Sequence, residues 1–273
     1  MVDRRRPAPQ RAKALAWVAM RWFPSDEIFR VMTQLGYAAD LLVTAELGVV
    51  RYDTALELQE ALRDLRIRGA IPDLLLLLEH PPVYTLGRGA AADHLGAAAT
   101  GSVPVRRVGR GGGVTFHGPG QVVGYPIIDL SLRNRDVHAH LRCLESTLIR
   151  AVGRFGIRGE RVAGRPGVWV GGRKLASIGI GVKRWVTTHG FALNISTDLR
   201  YFDAIVPCGL PGVQMTSLLA EGTHPDQRDV ERCVAQEIAR ELGCHVVRLA
   251  GGSEGKALGL RAYRRGVAPR IPS

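Results

Sequence analysis

The side chains best suited to chemistry in this sequence are a thiol and an amine, Cys208 and Lys174. Cys208 lies in IVPCGLPG, among Pro and Gly and off any amphipathic stripe, so it reads as an accessible loop thiol. A nearby ammonium draws a thiol pKa from about 8.5 toward neutrality and so supplies the nucleophilic thiolate. Lys174 opens KLASIGIGV, where strand alternation groups it with Ala176, Ile178, Ile180 and Val182. An amine aligned with an apolar stripe is partly desolvated, which favours its neutral form and makes it a usable base. Each has a blander reading: an ordinary loop cysteine, and a strand-edge lysine whose ammonium reaches water. The third stretch is RRVGRGGGVTFHGPGQ, residues 106–121. Glycines 111–113 let the backbone approach a ligand and present N–H groups to its oxygens. Alternation then sets Gly113, Thr115 and His117 on one polar, open face and Val114 and Phe116 on a face fit for a core. Alone, this would equally describe a glycine-rich turn with a surface histidine.

The elements that must position these groups follow from periodicity. From Tyr52 to about Arg68, Ala55, Leu56, Leu58, Leu62 and Leu65 recur at helical spacing, and Pro72 stops the helix. DLLLLLEH reads as a core strand, and Pro81-Pro82 break the chain before VYTLGRG. Strands are expected in 103–108 and 113–129, with a turn at Gly118-Pro119-Gly120. A long helix is expected over 136–155, with Asp136 as its N-cap. VWV, Gly171-Gly172 and KLASIGIGV read as a β-hairpin. HGFALNI is another strand, and 229–242 a final amphipathic helix. Hairpin-joined strands with few helices between them indicate an α+β (α/β) fold built on a mixed, largely antiparallel sheet with flanking helices.

Composition narrows the class. The chain has 273 residues and is 46% hydrophobic, enough for one sizeable core, here expected over residues 36–250. No apolar run reaches the length of a membrane span, so no membrane partner is expected. The net charge of +12 invites a nucleic-acid reading, but its location argues against one. Residues 1–30 hold seven Lys/Arg against three acidic residues, and residues 251–273 five against one. Each end thus carries +4, leaving +4 for residues 31–250, a modestly basic body suited to acidic partners. Residues 1–35 and 251–273 are expected to be disordered basic extensions. The acid-poor start also suits a transit peptide, or translation beginning at Met32. Cys143 and Cys233 fall in expected helices and Cys244 begins CHVV, so they read as packing residues. Without close cysteine pairs or a secretory signal, a reduced, cytoplasmic setting is expected. G-x-G-x-x-G, G-x-S-x-G and H-E-x-x-H are absent, and the nearest P-loop match, AGGSEGKA, has Ala250 and Ala257 at required positions.

Taken together, RYDTALELQEALRDLR, LLLLEHPPVYTLGRG, RGGGVTFHGPGQ, GRKLASIGIGVKRWVTTHGFALNI and IVPCGLPGVQMTSL resemble, in order, the lipoyl/octanoyl transferase family, from about Leu47 to Leu242. The resemblance implies the fold of lipoate and biotin protein ligase catalytic domains, a sheet with helices on one side. It implies transfer of an octanoyl (or lipoyl) group from acyl carrier protein, through a cysteine thioester, to a lysine of lipoate-dependent proteins. Acceptors would be the lipoyl domains of 2-oxoacid dehydrogenases and the glycine cleavage H protein, with no cofactor and no metal. Cys208 matches the family's thioester cysteine and Lys174 the lysine that lowers its pKa. Arg110, Gly111, Gly112, Gly113, Val114, Thr115, Phe116 and His117 match one part of the acyl-substrate site. Ser177, Ile178 and Gly179, and Gly190, Phe191 and Ala192, match two others. The rival of the same fold is an ATP-dependent lipoate–protein ligase, which needs no nucleophilic thiol. The rival of another class is a basic binding module for nucleic acid or acidic proteins.

Overall fold

The five consecutive leucines Leu74–Leu78 are all fully buried, and a strand buried on both faces needs cover on both. The computed structural model describes residues 40–206, 212–249 and 261–263. In it, that strand lies inside a nine-stranded sheet with helices against each face. The elements begin with β1 (Leu41–Val49), α1 (Tyr52–Ile67), β2 (Asp73–Glu79), β3 (Val83–Leu86), β4 (Val105–Arg107), β5 (Val114–His117) and β6 (Gln121–Ile127). After α2 (Val137–Gly153) come β7 (Glu160–Val162), β8 (Arg165–Val170), β9 (Arg173–Lys183) and β10 (Val186–Asn194). The chain continues with α3 (Arg200–Asp203), α4 (Gln227–Leu242), β11 (His245–Leu249) and β12 (Arg261–Tyr263). The large sheet runs β12-β11-β1-β2-β6-β10-β9-β8-β7, and β4-β3-β5 form a second, smaller one. In the large sheet only β1 pairs in parallel, with β2 and β11. The mixed, largely antiparallel sheet expected from the sequence is therefore what forms.

Alternation divides the core into two layers. Ala55, Leu58 and Leu62 of α1 pack on Val43, Leu74, Leu76, Leu78 and Val123. On the opposite face, Leu144 and Leu148 of α2 and Val234 and Ile238 of α4 pack on Leu42, Leu75, Leu77, Val122 and Leu193. Each such side chain contributes about 1.5–3 kcal/mol when fully buried. Helices thus cover both faces of the sheet, not one; the leucine run, apolar at every position, required it.

Local signals place the ends. Asp136 caps α2, accepting the Ala139 N–H at 2.9 Å. Asp226 caps α4, and Gly243, at φ 67°, ends it in the left-handed region. The β8–β9 hairpin turns on Gly171 (φ 52°) and Gly172 (φ 79°), the double positive φ of a two-residue type I′ turn. Buried Glu237 of α4 ties the two helices of its layer together, accepting from Arg150 of α2 and from Arg154, the residue that caps its C-terminus. The extension expected over 1–35 lies outside the described residues. Of the stretch 251–273, Arg261–Tyr263 forms a strand antiparallel to β11, whose outer edge offers backbone groups that a short, irregular sequence can still pair.

Candidate active site

Between α1, the glycine loop and the β9–β10 pair lies a cleft of about 430 Å³, counting its open mouth. Its walls carry Arg110, Gly112, Gly113, Thr115 and His117 from the loop and β5, Ser177, Ile178 and Gly179 from β9, and Gly190, Phe191 and Ala192 from β10. The structure thus gathers three separate stretches around one space. Gly111 stands just behind, its N–H donating to the Ile180 carbonyl at 2.8 Å and lashing the loop to β9. Val114 and Phe116 turn the other way, into a satellite core with Tyr84, Leu86 and Phe202, where the Phe116 ring stacks on Tyr201 at 4.3 Å. Only glycine fits at 179, because a Cβ there would lie 2.8 Å from the Gly111 carbonyl oxygen.

A continuous set of buried hydrogen bonds holds the loop. Arg110 Nη1 donates to the carbonyls of Gly111 and Gly113, each at 3.0 Å, and Nη2 to Thr85 Oγ1 at 2.7 Å and to the Thr85 carbonyl at 2.8 Å. Gln121 Nε2 donates to the Phe116 carbonyl and to Asn194 Oδ1. Its Oε1 therefore accepts from His117 Nδ1–H at 2.9 Å. That leaves His117 Nε2 as a lone pair, accepting from the Thr85 hydroxyl at 3.3 Å. His117 is thus a neutral tautomer with both nitrogens engaged within the protein. Burial above all, then His80 and Arg110, holds its pKa well below the usual histidine range. The chain of bonds continues from Asn194 Nδ2 to the Thr216 carbonyl at 2.9 Å, and the Thr216 N–H donates to the carbonyl of Lys174.

Lys174 is 2% exposed. The plain alternation read from the sequence puts it beside Ala176 and Ile178, on the side of α2; the structure overturns this. β8 and β9 pair Val168 with Ala176 but Trp169 with Lys174, so Leu175 is an extra residue, a β-bulge. Across the bulge the phase reverses, and Lys174 joins Ser177 and Gly179 on the cleft side. The contacts agree. Lys174 Nζ lies 5.3 Å from the Trp169 ring centre, and a Cβ on Gly167 would fall 2.8 Å from Lys174 Cε. The Lys174 backbone is fastened to the 214–216 segment, its N–H donating to the Gln214 carbonyl at 2.8 Å. That segment follows the loop containing Cys208, which itself lies outside the described residues.

Comparison with known proteins decides the family. Residues 51–239 match the family described as lipoyl protein ligase A/B catalytic domain. An octanoyltransferase of Gloeobacter violaceus is 52% identical over 200 residues, covering 72% of this chain and 89% of its own. One of Geobacter metallireducens is 48% identical over 195 residues, covering 71% and 90%. The chain belongs to the octanoyltransferase family. In overall fold it is similar to a bipartite lipoate protein ligase of Thermoplasma acidophilum (TM-score 0.57, 13% identity, 74% of this chain and 83% of that one). It is also similar to a lipoate-protein ligase A solved with ATP (TM-score 0.55, 12% identity, 74% and 85%).

Within this octanoyltransferase fold, three cleft residues were not singled out from the sequence: Tyr52, Tyr125 and His189. Tyr52 opens α1, with its hydroxyl pKa pushed up to about 12 by burial. Tyr125 donates to His80 Nε2 at 2.7 Å, while His80 Nδ1 donates to the Val50 carbonyl. None of these carries a local signal, because they converge only in the folded chain, Tyr125 and His189 through the pairing of β6 and β10 and Tyr52 through the packing of α1. Trp169 was legible merely as a strand residue. Among the described residues, no helix is long and apolar enough to cross a membrane.

Proposed function

We infer that this chain is an acyltransferase that moves an octanoyl group onto a lysine of lipoyl domains, with Cys208 carrying the acyl group and Lys174 handling protons. The observation that carries the reading is the β-bulge. It turns a buried amine onto the side of a cleft whose lining comes from the three stretches that resemble the family's substrate site. The 48–52% identity to octanoyltransferases supports transfer over the ATP-dependent ligase reaction, since the solved lipoate ligases, at 12–13% identity, share the fold alone.

In the first half-reaction the Cys208 thiolate attacks the acyl carbon of a thioester donor, and octanoyl-acyl carrier protein is the donor we propose. The carbon–sulfur bond to the donor breaks, and the departing thiolate takes a proton from the Lys174 ammonium. One thioester replaces another, so no activation by ATP is required. In the second, the acceptor's neutral amine attacks the same carbon, Lys174 takes its proton, and the Cys208 thiolate leaves. The acceptors we propose are the lipoyl domains of 2-oxoacid dehydrogenases and the glycine cleavage H protein. N–H groups of the glycine loop are candidates to hold the developing oxyanion. Arg110 and His117 keep that loop in shape, and Ala192 with Gly179 and Gly190 lines the slot for the acyl chain, while the side chains of Ile178 and Phe191 pack behind it in the core on the α2 side.

Intact mass after incubation with octanoyl-carrier protein and no ATP tests this. The wild-type chain should gain one octanoyl group, and Cys208→Ala should gain none while unfolding at the same denaturant concentration. Transfer retained by Cys208→Ala would rule out the covalent route.

A further inference from the structure

The pairing of β9 with β10 runs only as far as Ala176 with Leu193, and β10 ends one residue later at Asn194. Beside Lys174 its place in the ladder is taken by residues 214–216. Met215 forms an isolated parallel bridge with Lys174. The Lys174 N–H donates to the Gln214 carbonyl at 2.8 Å, and the Thr216 N–H donates to the Lys174 carbonyl at 2.9 Å. In the chain, Cys208 lies six residues before Gln214, so any slack in this bridge becomes slack in the position of the thiol. Two backbone bonds beside an exposed Gln214 are a light fastening, of the kind that opens locally without global unfolding.

A side-chain tie closes the bridge. Glu221, mostly buried, accepts from Arg173 Nε at 3.1 Å and from Nη2 at 2.9 Å, the latter on both carboxylate oxygens. The same carboxylate accepts from the hydroxyl of buried Thr216. Arg173 precedes Lys174 and Thr216 follows Met215, so Glu221 joins the two sides of the bridge next to the paired residues. Glu221 is itself held, its N–H donating to the Ser217 carbonyl at 3.0 Å. A bidentate guanidinium–carboxylate pair fixes direction as well as distance. Arg173 is half-exposed, so the pair adds little to overall stability. Its effect is local, and its locality is the junction between the strand of the amine and the segment of the thiol.

We propose that Arg173 and Glu221 are positioning residues that keep the segment leading from Cys208 in register with Lys174. The inference rests on Cys208 and Lys174 being the reacting pair, and it deepens that reading by naming what aligns them. With the tie cut, the segment is free to shift by about 1 Å in a folded protein, enough to spoil a proton transfer between heavy atoms about 3 Å apart.

The test compares Glu221→Ala, Arg173→Ala and the double variant with wild type. Three properties are measured: the pH profile of iodoacetamide alkylation, read on the peptide containing Cys208; kcat and KM for transfer from octanoyl-carrier protein to a lipoyl domain; and urea unfolding. Each single variant should alkylate about fivefold more slowly at pH 7, with its midpoint moved upward. Each should lose about tenfold in kcat with KM within about twofold of wild type. The double variant should lose no more than either single one, since both cut the same tie. The urea midpoint should barely move. A pair that serves stability alone would lower the urea midpoint and leave the alkylation profile of the folded protein where it was. That result, or losses that add in the double variant, overturns the inference. Should Cys208→Ala still transfer octanoyl, the covalent reading falls and this inference with it. Should Cys208→Ala be inactive while Glu221→Ala and Arg173→Ala react like wild type, this inference alone falls.

Discussion

Lys174 is the residue whose setting says most about its use. Its aliphatic stem lies over Gly167, and its amine lies near the face of Trp169, a contact worth about 1–2 kcal/mol to a desolvated cation. On the proposed mechanism this amine lowers the pKa of the Cys208 thiol. Replacing Lys174 with Ala should therefore slow alkylation of Cys208 at pH 7 by about tenfold or more and move its pH midpoint upward toward that of an ordinary thiol. An unchanged rate–pH profile would dismiss the role. At this scale the sequence was partly legible. Alternation correctly separated Thr115 and His117 from Val114 and Phe116. It failed at Lys174 and was silent on His189, for one reason: each is re-aimed by a backbone irregularity, a bulge in the first case and a φ of 56° in the second, and neither irregularity has a glycine at its centre to announce it.

The strands and their turns make those irregularities stable. β9 can bulge because β8 holds it through Val168–Ala176 on one side of Leu175 and Trp169–Lys174 on the other, while buried Leu175 fills the opposite core. Gly167 is the point where this arrangement is least tolerant. It sits at φ 133°, and an added methyl would press on both Lys174 and the Ala176 carbonyl. Gly167→Ala should cost about 2 kcal/mol or more in denaturant unfolding and should also blunt thiol reactivity, since the lysine must move aside. Full stability together with unchanged reactivity would count against the cradle described for Lys174. The elements themselves were largely readable: the three long helices, α2 with its Asp136 cap, the Gly171-Gly172 hairpin and the leucine strand all carry local signals. β7, a short strand of polar composition, was less so, and although strands were expected where β4 and β5 lie, nothing local announced that they join β3 in a separate sheet. That helices flank both faces was implicit in Leu74–Leu78, five apolar residues where a one-sided sheet would alternate.

At the scale of the whole molecule, neutral buried histidines couple stability to pH. Burial lowers His80, His140 and His189 to about 4, against 6.5 for the free side chain. The folded protein therefore binds these protons more weakly than the unfolded chain. The stability linked to them is fully present above about pH 6.5 and is lost as pH falls toward 4. Each contributes a slope of up to about 1.4 kcal/mol per pH unit across that window. Urea unfolding at pH 7.0, 5.5 and 4.5 should show a steeply falling midpoint. A flat midpoint would mean that these side chains are charged or solvated in the native state. Sequence alone could not supply this, since none of the three histidines is marked as buried by its neighbours in the chain.

The first and last strands of the main body, β1 and β11, lie side by side, pairing Leu41 with His245 through Ala45 with Leu249. A chain emerging from the ribosome must therefore keep β1 waiting with one edge bare until some two hundred further residues have been made. Contacts of such long sequence separation form slowly, and the apolar edge left open meanwhile is what a chaperone would need to cover. Folding of this molecule is accordingly completed after synthesis of β11, not progressively during it.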